Sequence, residues 1–325
     1  MARVLVIGGT LFIGRALVER LLGQSHDVVI MHRGTGTPFG DRVGEIQCDR
    51  NDVEAVRAAL AGTSFDIVYD NVYDWQRGTT AEPVVASALA VADRLRRYVF
   101  TSSVAAYGGG MNHDETDPLA PAGMPDDYAR NKADSERALF ALHRDQGVPV
   151  TTLRPAFIYG PNNPFDREAF FWDRILADRP IVIPGDGERP MQFVHVDDVA
   201  RAALRAATED AAIGHAYNLG NDPPVTQVEF VLALARAAGR EARLVHVPRE
   251  RIEAAGGGLF APPFYFGVYL DLPPLTMRVE RVRSELGVEL TPLDDGLRET
   301  FRWYQTQSRP PLDVAWEDAL LAGSA

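Results

Sequence analysis

One tyrosine and one lysine stand four residues apart, a spacing that suits proton transfer. Lys132 is the only lysine among the 33 Lys and Arg residues, and it follows Tyr128 by four positions. Residues at i and i+4 of a helix share one face. A free tyrosine has a pKa of about 10, and a nearby ammonium lowers it by stabilising the phenolate. We therefore expect Tyr128 to exchange a proton with a substrate, the alternative being an ordinary pair on a solvated helix.

Hydroxyl side chains follow a predicted strand earlier in the chain. Thr101-Ser102-Ser103 comes at the end of the apolar run Tyr98–Thr101, and parallel sheets bind ligands at the carboxyl ends of their strands. A hydroxyl at this edge can hold a carbonyl or alcohol oxygen against Tyr128. Serines at strand ends are also common in turns, so this prediction depends on the tyrosine and lysine downstream.

Three glycines, Gly8, Gly9 and Gly14, lie between the first predicted strand (2–7) and the helix after it. Such a turn lets backbone approach a pyrophosphate, and the helix N-terminus offers N–H groups to it. We expect a dinucleotide to bind here. Leu11 stands where many such loops carry a middle glycine, which predicts a tighter or differently shaped turn.

The second predicted strand ends at His32-Arg33, where an acidic residue would bind a ribose 2′-hydroxyl and an arginine suits a 2′-phosphate. Arg33 therefore favours NADP, with NAD as the alternative, unless Arg33 merely caps a solvated loop. Asp49, after the strand-like run Glu45–Cys48, is placed to meet the adenine amine; a surface carboxylate is the equal alternative.

Elements that position these residues alternate between strand and helix, which predicts an α/β fold with a Rossmann-type, doubly wound parallel sheet and a smaller C-terminal α/β substrate lobe. We assign residues 1–155 to the dinucleotide-binding domain, with 193–220 returning to it, and 156–192 and 221–325 to the substrate lobe. The predicted helices include 12–22, 52–61, 80–95 and 126–146.

Three other segments carry predictions about the architecture. Val194–Ala207 and Ala216–Leu219 look like returns to the sheet. Residues 256–275, rich in Gly, Pro and aromatic residues, are interpreted as a lid or pocket wall, or equally as a packed surface loop.

Composition narrows the class of protein. The formal net charge of −12 argues against nucleic acid as the main partner. Cys48 is the only cysteine, so no intrachain disulfide can form, and we take it as a packing residue. No apolar run is long enough to span a bilayer, and the N-terminus opens on a strand without a leader. We expect a soluble cytoplasmic protein with a small-molecule substrate and no membrane partner.

Together these motifs resemble the extended short-chain dehydrogenase/reductase superfamily, within its NAD-dependent epimerase/dehydratase family, over nearly the whole chain. The residues that carry the resemblance are Gly8-Gly9-Thr10-Leu11-Phe12-Ile13-Gly14, Thr101-Ser102-Ser103-Val104-Ala105-Ala106-Tyr107-Gly108, Tyr128-Ala129-Arg130-Asn131-Lys132, Leu153-Arg154-Pro155-Ala156-Phe157-Ile158-Tyr159-Gly160-Pro161, Pro184-Gly185-Asp186-Gly187, Phe193-Val194-His195-Val196-Asp197-Asp198-Val199-Ala200 and Tyr217-Asn218-Leu219-Gly220.

The resemblance implies an NAD(P)-dependent oxidoreductase or epimerase that acts on an alcohol or ketone, with Ser103, Tyr128 and Lys132 as the catalytic set. The Ser-x-x-x-Tyr-Gly pattern ending at Tyr107-Gly108 selects Ser103 over Ser102. The residues assigned to the cofactor, NADP or NAD, are Gly8, Gly9, Thr10, Phe12, Ile13, Gly14, Arg33, Asp49, Arg50, Asn71, Tyr128, Lys132 and Pro155.

Departures from the family pattern bear on the substrate. Family 4,6-dehydratases carry Asp-Glu where this chain has Val104-Ala105, so water elimination is not expected. Nucleotide-sugar enzymes place an arginine where this chain has Met191 beside Gln192, and Arg189 is two residues away. The chain looks like a less characterised branch that includes chloroplast stem-loop-binding relatives.

These departures favour a small, partly apolar substrate or a sugar without a nucleotide. A nucleotide-sugar epimerase is the alternative within the class. The alternative of another class is a non-catalytic protein of the same fold that senses cofactor or binds RNA.

Two further expectations concern metal and assembly. His195, Asp197 and Asp198 are expected to cap a helix rather than to bind a metal. The predicted helices 80–95 and 126–146 can pair across a two-fold axis, so we expect a homodimer.

Overall fold

The computed structural model describes residues 1–258 and 272–322 of the chain. Its strands are β1 (Arg3–Ile7), β2 (Asp27–His32), β3 (Gly44–Gln47), β4 (Ile67–Asp70), β5 (Arg97–Thr101), β6 (Gly110–His113), β7 (Val150–Pro155), β8 (Phe157–Tyr159), β9 (Pro180–Pro184), β10 (Pro190–Met191), β11 (Phe193–His195), β12 (Ala216–Leu219), β13 (Val225–Thr226), β14 (Arg243–Val247) and β15 (Leu275–Met277).

The helices in these residues are α1 (Phe12–Gly23), α2 (Val53–Leu60), α3 (Ala81–Ala90), α4 (Asp127–Gln146), α5 (Arg167–Leu176), α6 (Val196–Thr208), α7 (Gln227–Ala237), α8 (Arg249–Ala254), α9 (Glu280–Leu286), α10 (Leu293–Tyr304) and α11 (Ala315–Ala322). A 3₁₀ turn covers Val104–Tyr107.

Seven parallel strands form the central sheet, in the order β12-β7-β5-β4-β1-β2-β3. The chain moves outward from β1 through β2 to β3, and then crosses back to β4 on the other side of β1. This reversal is the switch point at which open α/β sheets bind ligands. The predicted doubly wound Rossmann-type sheet is confirmed.

Apolar cores cover both faces of the sheet. On one face, side chains of α1 and α6 pack over residues such as Val4 and Tyr217. On the other face, α2, α3 and α4 pack over residues such as Leu5 and Phe100. Strands covered on both faces bury successive side chains, which explains why 4–7, 67–69 and 98–100 are continuous apolar runs rather than alternating ones.

The long helix α4 has a defined start and end. The Asp126 carboxylate accepts a hydrogen bond from the Ala129 N–H, which satisfies one of the free donors of the first turn. Gly147, at φ 72°, ends the helix in the left-handed conformation that glycine adopts without strain. These two caps fix where Tyr128 and Lys132 lie along the helix.

A second lobe has its own apolar core. Helices α5, α7 and α10 surround Trp172, Phe230 and Phe301, and the parallel pair β9–β14 lies against α5. This agrees with the expectation of a smaller α/β lobe after residue 155, although the exact domain limits stay a prediction.

The prediction for Val194–Ala207 was wrong in part. Only Ala216–Leu219 joins the central sheet, as β12 beside β7. β11 pairs instead with β8 in a two-stranded sheet, and Val196–Thr208 is helix α6, packed against α1. The buried residues of α6 recur every three or four positions, and this helical period decides the structure. The predicted lid, 256–275, falls largely on 259–271, outside the described residues.

Within residues 1–258 and 272–322, no helix combines the length and the apolar character that crossing a membrane requires.

Gly14 is the position at which the fold tolerates least change. A Cβ at Gly14 would lie 1.9 Å from the carbonyl oxygen of Gly8, and backbone cannot move aside cheaply. We predict that Gly14→Ala lowers the free energy of unfolding by about 2–3 kcal/mol, despite the better helix propensity of alanine. Urea denaturation measures this difference.

The matched control is Gly23→Ala in the same helix. A Cβ at Gly23 would meet nothing within 4 Å. We expect this variant to be as stable as the wild type or slightly more stable. Equal stability of the two alanine variants would contradict the predicted clash at Gly14.

Candidate functional site

The sequence-predicted residues meet at the carboxyl edge of the sheet. Gly8 and Gly9 follow β1, Asn71 follows β4, Ser103 follows β5 and Pro155 ends β7. These strands are neighbours in the sheet. The edge therefore brings the predicted cofactor residues and the predicted catalytic hydroxyl into one cleft at the switch point.

The glycines of the turn between β1 and α1 pack directly against protein side chains, so neither Gly8 nor Gly9 has space for a Cβ. A Cβ at Gly8 would lie 2.4 Å from Val72 Cγ2, and a Cβ at Gly9 would lie 2.9 Å from Ile30. No side chain caps the N-terminus of α1, where Leu11 is the N-cap residue. The free N–H groups of that first turn suit an anionic group such as a pyrophosphate.

The loop after Gly9, which lacks a middle glycine, has an unusual backbone conformation. Phe12 adopts φ 43°, a left-handed conformation that is uncommon for an aromatic residue. Leu11 before it is 67% exposed. Strain of this kind is kept where the surrounding structure fixes it, and here it turns the chain into α1.

Asn71 is a second feature that fits a bound group. Its side-chain oxygen accepts a hydrogen bond from Thr101 Oγ1 at 2.6 Å. Its Nδ2 is buried and has no hydrogen-bond partner among the described residues. A buried amide donor without a partner costs free energy, which a ligand acceptor would recover. The glycine turn and Asn71 together fit a dinucleotide.

Lys132 is buried below the end of β5. Its Nζ donates a hydrogen bond to the Thr101 carbonyl at 2.7 Å, and it lies 4.8 Å from the ring centre of Phe100. Burial lowers the pKa of Lys132 to about 8; Asp70 and Glu136 raise this pKa and Arg50 lowers it. The ammonium therefore titrates close to neutral pH.

Tyr128 lies in a group of aromatic rings that the sequence analysis missed. Trp75 stacks on its ring with centroids 4.7 Å apart, and Tyr73 meets the same ring edge-on, also at 4.7 Å. Lys132 Nζ lies 5.5 Å from the Tyr73 ring centre, so Tyr73 contacts both predicted catalytic side chains. The run Tyr73-Asp74-Trp75, which begins three residues after the end of β4, was the available signal.

The two serines after β5 have different partners. Ser102 Oγ donates to Glu136 Oε1 at 2.5 Å, whereas Ser103 Oγ accepts from the Ala105 N–H at 3.1 Å. Ser102 is therefore committed to the interior. Ser103 Oγ donates to no acceptor in the described part of the chain, and the choice of Ser103 over Ser102 as the catalytic hydroxyl stays a prediction.

Glu136 is the centre of a buried network that spacing alone could have suggested, because it follows Lys132 by four residues. Its carboxylate accepts from Thr152 Oγ1 at 3.1 Å and from Arg154 Nη2 at 2.7 Å. Arg154 Nη1 in turn donates to the Tyr107 hydroxyl at 2.8 Å. This network joins α4, which carries Tyr128 and Lys132, to β7.

Arg50 does not reach the cleft as predicted for a cofactor contact. Its guanidinium is buried and binds the Asp70 carboxylate, Ser87 Oγ and, at 2.8 Å, the Pro83 carbonyl. Tyr98 also donates to Asp70, at 2.7 Å. An arginine that follows a strand can point toward a ligand or toward the protein interior. Here the Asp70 carboxylate, at the end of β4, binds the Arg50 guanidinium in the interior.

At the other end of the cleft, Arg33 and Asp49 belong to one charged cluster. Arg33 Nη1 donates to Asp74 Oδ2 at 2.8 Å, and Arg77 bridges Asp74 to Asp49 with Nη2 distances of 2.8 and 2.7 Å. Burial alone would raise the pKa of Asp74, yet hydrogen bonds from Arg77 and from the Gln76 N–H lower it to about 2. Asp74 and Arg77 were not predicted.

At the positions where a diphosphate contact was considered, two of the three side chains have partners in the protein interior. Met191 is buried in the second lobe, and Gln192 donates to the Asn221 and Met277 carbonyls while accepting from the Met277 N–H. Arg189 is partly exposed and donates to the Pro273 carbonyl at 2.8 Å. Arg189 is thus the one cation among residues 189–192, and it is partly exposed to solvent.

In the described part of the chain, no group of three or more His, Cys, Asp or Glu residues has a metal-binding arrangement. Asp197 binds Arg20 at 2.9 Å, and Asp198 accepts from Thr291 and Arg201. The imidazole Nε2 of His195 is buried without a hydrogen-bond partner in that part.

Comparison of the chain with known proteins identifies its family. A model of the NAD-dependent epimerase/dehydratase family matches residues 4–220. The chain is 30% identical over 266 residues to the chloroplast stem-loop binding protein of 41 kDa b of Arabidopsis thaliana, covering 76% of this chain and 67% of that protein. It is 26% identical over 334 residues to a dTDP-glucose 4,6-dehydratase of Streptomyces niveus, covering 93% of each.

Solved structures agree on the fold. The UDP-glucose 4-epimerase of Thermus thermophilus in complex with NAD matches with a TM-score of 0.71 and 24% identity, over 94% of this chain and 100% of that one.

The chain also matches, by sequence, a trifunctional UDP-glucose 4,6-dehydratase of Arabidopsis thaliana at 27% identity, but spans only 33% of its length.

The single lysine makes the environment of Lys132 directly measurable. We predict that the protein labelled with ¹³C-lysine gives one lysine side-chain signal that titrates at about pH 8, below the usual 10.5, because burial disfavours the ammonium. NMR titration of the ε-carbon measures this midpoint. The folded-state pKa is below the unfolded one, so this residue's contribution to stability grows as pH rises from about 8 to 10.5.

The urea-unfolded protein is the control and should titrate near the ordinary lysine value. A folded-state midpoint near that same value would mean that the ammonium is solvated, which contradicts the buried position.

Proposed function

Because the chain belongs to the NAD-dependent epimerase/dehydratase family and is an NAD(P)-dependent enzyme of the short-chain dehydrogenase/reductase type, we propose that it oxidises and reduces a ring alcohol of a nucleotide-linked sugar. The product is either the epimer or the ketone. The observation that carries this proposal is the Lys132 ammonium, which donates to the Thr101 carbonyl at the end of the strand that Ser103 follows and belongs to the helix that carries Tyr128. The named sugar substrates of the relatives support a nucleotide sugar over the bare or apolar substrate first expected.

Proton transfer is assigned to Tyr128. Lys132, one helical turn away and protonated at neutral pH, favours the phenolate by its positive charge. The phenolate oxygen takes the proton of the substrate hydroxyl, and in the reverse direction it returns that proton to the carbonyl oxygen. Ser103 donates a hydrogen bond to the same substrate oxygen and orients it.

A nicotinamide dinucleotide, when bound, supplies the hydride acceptor or donor of this chemistry. The residues proposed to hold its phosphates are those of the glycine turn, Gly8 to Gly14, with Thr10, Phe12 and Ile13 in that turn. Asn71 and Pro155 lie at the sheet edge toward the nicotinamide end. Lys132 is proposed to donate to the neighbouring ribose.

Elimination of water is not part of the proposal. Val104 is buried in an apolar cluster, and Ala105 offers only its backbone N–H, which is bound to Ser103 Oγ. Neither side chain can act as an acid or base after the first oxidation. We therefore propose an epimerase or oxidoreductase rather than a dehydratase, with Arg189 as the diphosphate contact.

NADP is the proposed cofactor. Arg33 is 61% exposed at the end of β2, and Arg77 lies in the same cluster through Asp74. Two guanidinium groups at this edge can bind a 2′-phosphate with charged hydrogen bonds. Asp49 accepts from Arg77 and from the Asn51 N–H, so we assign its role to holding this cluster as well as to the adenine amine.

RNA binding is the alternative that the name of one relative raises. A nucleic-acid partner requires a basic surface to displace counterions, whereas this chain has a net charge of −12. The charge favours the enzyme without a nucleic-acid partner.

Loss of the Tyr128 hydroxyl tests the proposed chemistry. We predict that Tyr128→Phe lowers kcat at least about 100-fold, because a positioned acid–base group contributes 10²–10⁴. We predict that Ser103→Ala also lowers kcat. The assay is turnover of a panel of UDP- and dTDP-sugars, followed by product analysis and by reduced-nicotinamide absorbance.

Tyr304→Phe is the matched control, since its hydroxyl donates to Asp173 in the second lobe, away from the cleft. It should keep the wild-type kcat. Undiminished turnover in Tyr128→Phe would reject the mechanism, as would salt-sensitive RNA binding by a wild-type protein that turns over no sugar in the panel.

The cofactor preference is tested at Arg33. We predict that Arg33→Ala raises the Kd for NADPH by about ten- to a hundredfold, the loss of a charged hydrogen bond, while the Kd for NADH stays the same. Fluorescence titration measures both constants. Arg57→Ala, which removes an equal charge from the exposed face of α2, is the control. A wild type that binds NADH more tightly than NADPH would overturn the preference.

A further inference from the structure

Trp75 combines exposure with a fixed position. Its side chain is 59% exposed, although a large apolar surface in water is unfavourable. At the same time its indole stacks on Tyr128 and meets Tyr73 at 5.1 Å. A large ring that is both exposed and immobilised is typical of a binding surface rather than of a core.

The neighbouring residue fixes the loop that carries Trp75. The Asp74 carboxylate accepts from the backbone N–H groups of Gln76 and Arg77, and the Asp74 N–H donates to Thr79 Oγ1 at 3.0 Å. Asp74 is buried and also binds Arg33. These bonds close a tight turn, so the indole can remain in place without being buried.

Trp75 also lies between the two lobes. Its ring meets Phe165 edge-on at 5.8 Å, and Phe165 lies in the second lobe just before α5. One face of the indole is against the phenol of Tyr128. Trp75 therefore lies beside the tyrosine that is proposed to react and also contacts a residue of the second lobe.

We propose that the part of the indole of Trp75 that Tyr128 leaves exposed is the wall on which the substrate's sugar ring stacks while its alcohol reaches Tyr128. This inference rests on the proposed function and assigns a specificity-determining residue to it. The C–H face of a pyranose is apolar and matches a flat indole, and stacking fixes which ring carbon faces the phenol oxygen. The nucleoside diphosphate would extend away from Trp75 and gain nothing from it.

The experiment measures binding rather than turnover. The protein, saturated with NADPH, is titrated calorimetrically with UDP-glucose and, separately, with UDP as the sugar-free probe. We expect Trp75→Ala to weaken UDP-glucose about tenfold and to leave UDP unchanged, because an aromatic contact is lost only with the sugar. Trp75→Phe, which keeps a ring, should recover most of the affinity.

Leu89→Ala is the surface control, since Leu89 is 43% exposed on α3 and outside the cleft. Thermal unfolding of each variant verifies that it is folded, and titration with NADPH verifies that the cofactor still binds. Equal affinity of the wild type and Trp75→Ala for UDP-glucose overturns the stacking role, as does an equal loss for UDP. Failure of the wild type to bind UDP-glucose also overturns it.

The outcomes separate this inference from the proposed function. If Trp75→Ala binds UDP-glucose as the wild type does while Tyr128→Phe loses turnover, only the stacking role is rejected. If Trp75→Ala weakens NADPH instead, the indole belongs to the cofactor site and the substrate wall is rejected. If Tyr128→Phe retains full turnover, the catalytic assignment fails whatever Trp75 binds.

Discussion

The burial of one ammonium constrains much of this structure. Lys132 has lost its water and is bound by the Thr101 carbonyl at 2.7 Å. Carboxylates of Asp70 and Glu136 act on it from nearby, and each of these is paired with a buried arginine, Arg50 or Arg154. Each carboxylate raises the pKa of Lys132, but burial has the larger effect and lowers it. The positive charge of Lys132 is proposed to act on the phenol of Tyr128.

The two buried pairs also explain how the site keeps its shape. Breaking one partner of a buried ion pair costs several kcal/mol, so each pair holds the elements that carry it. Arg50 and Asp70 join the segment after β3 to the end of β4, while Arg154 and Glu136 join β7 to α4. Tyr128 and Lys132 lie on that same helix, and thus the sheet edge and the catalytic helix are held in register.

The family relationship gives the fold of the chain, and the departures from the family pattern bear on its substrate. The fold and the glycine turn are those of NAD-dependent epimerases and dehydratases. Val104 and Ala105 carry no acid or base, and Met191 is buried where a diphosphate contact was expected. Trp75 adds an aromatic surface at the reacting hydroxyl. Substrate choice in this chain is therefore expected to depend on the aromatic wall and Arg189.

The sequence by itself determined the alternating elements, the glycine turn and the Tyr128–Lys132 spacing, because each depends on residues close together in the chain. Tertiary structure decided the rest. Arg50 turned inward to Asp70, and Arg33 met Asp74, 41 residues away. Charge pairs and ring contacts between distant segments depend on which strands are neighbours in the sheet. The local periodicity of the sequence does not contain that information.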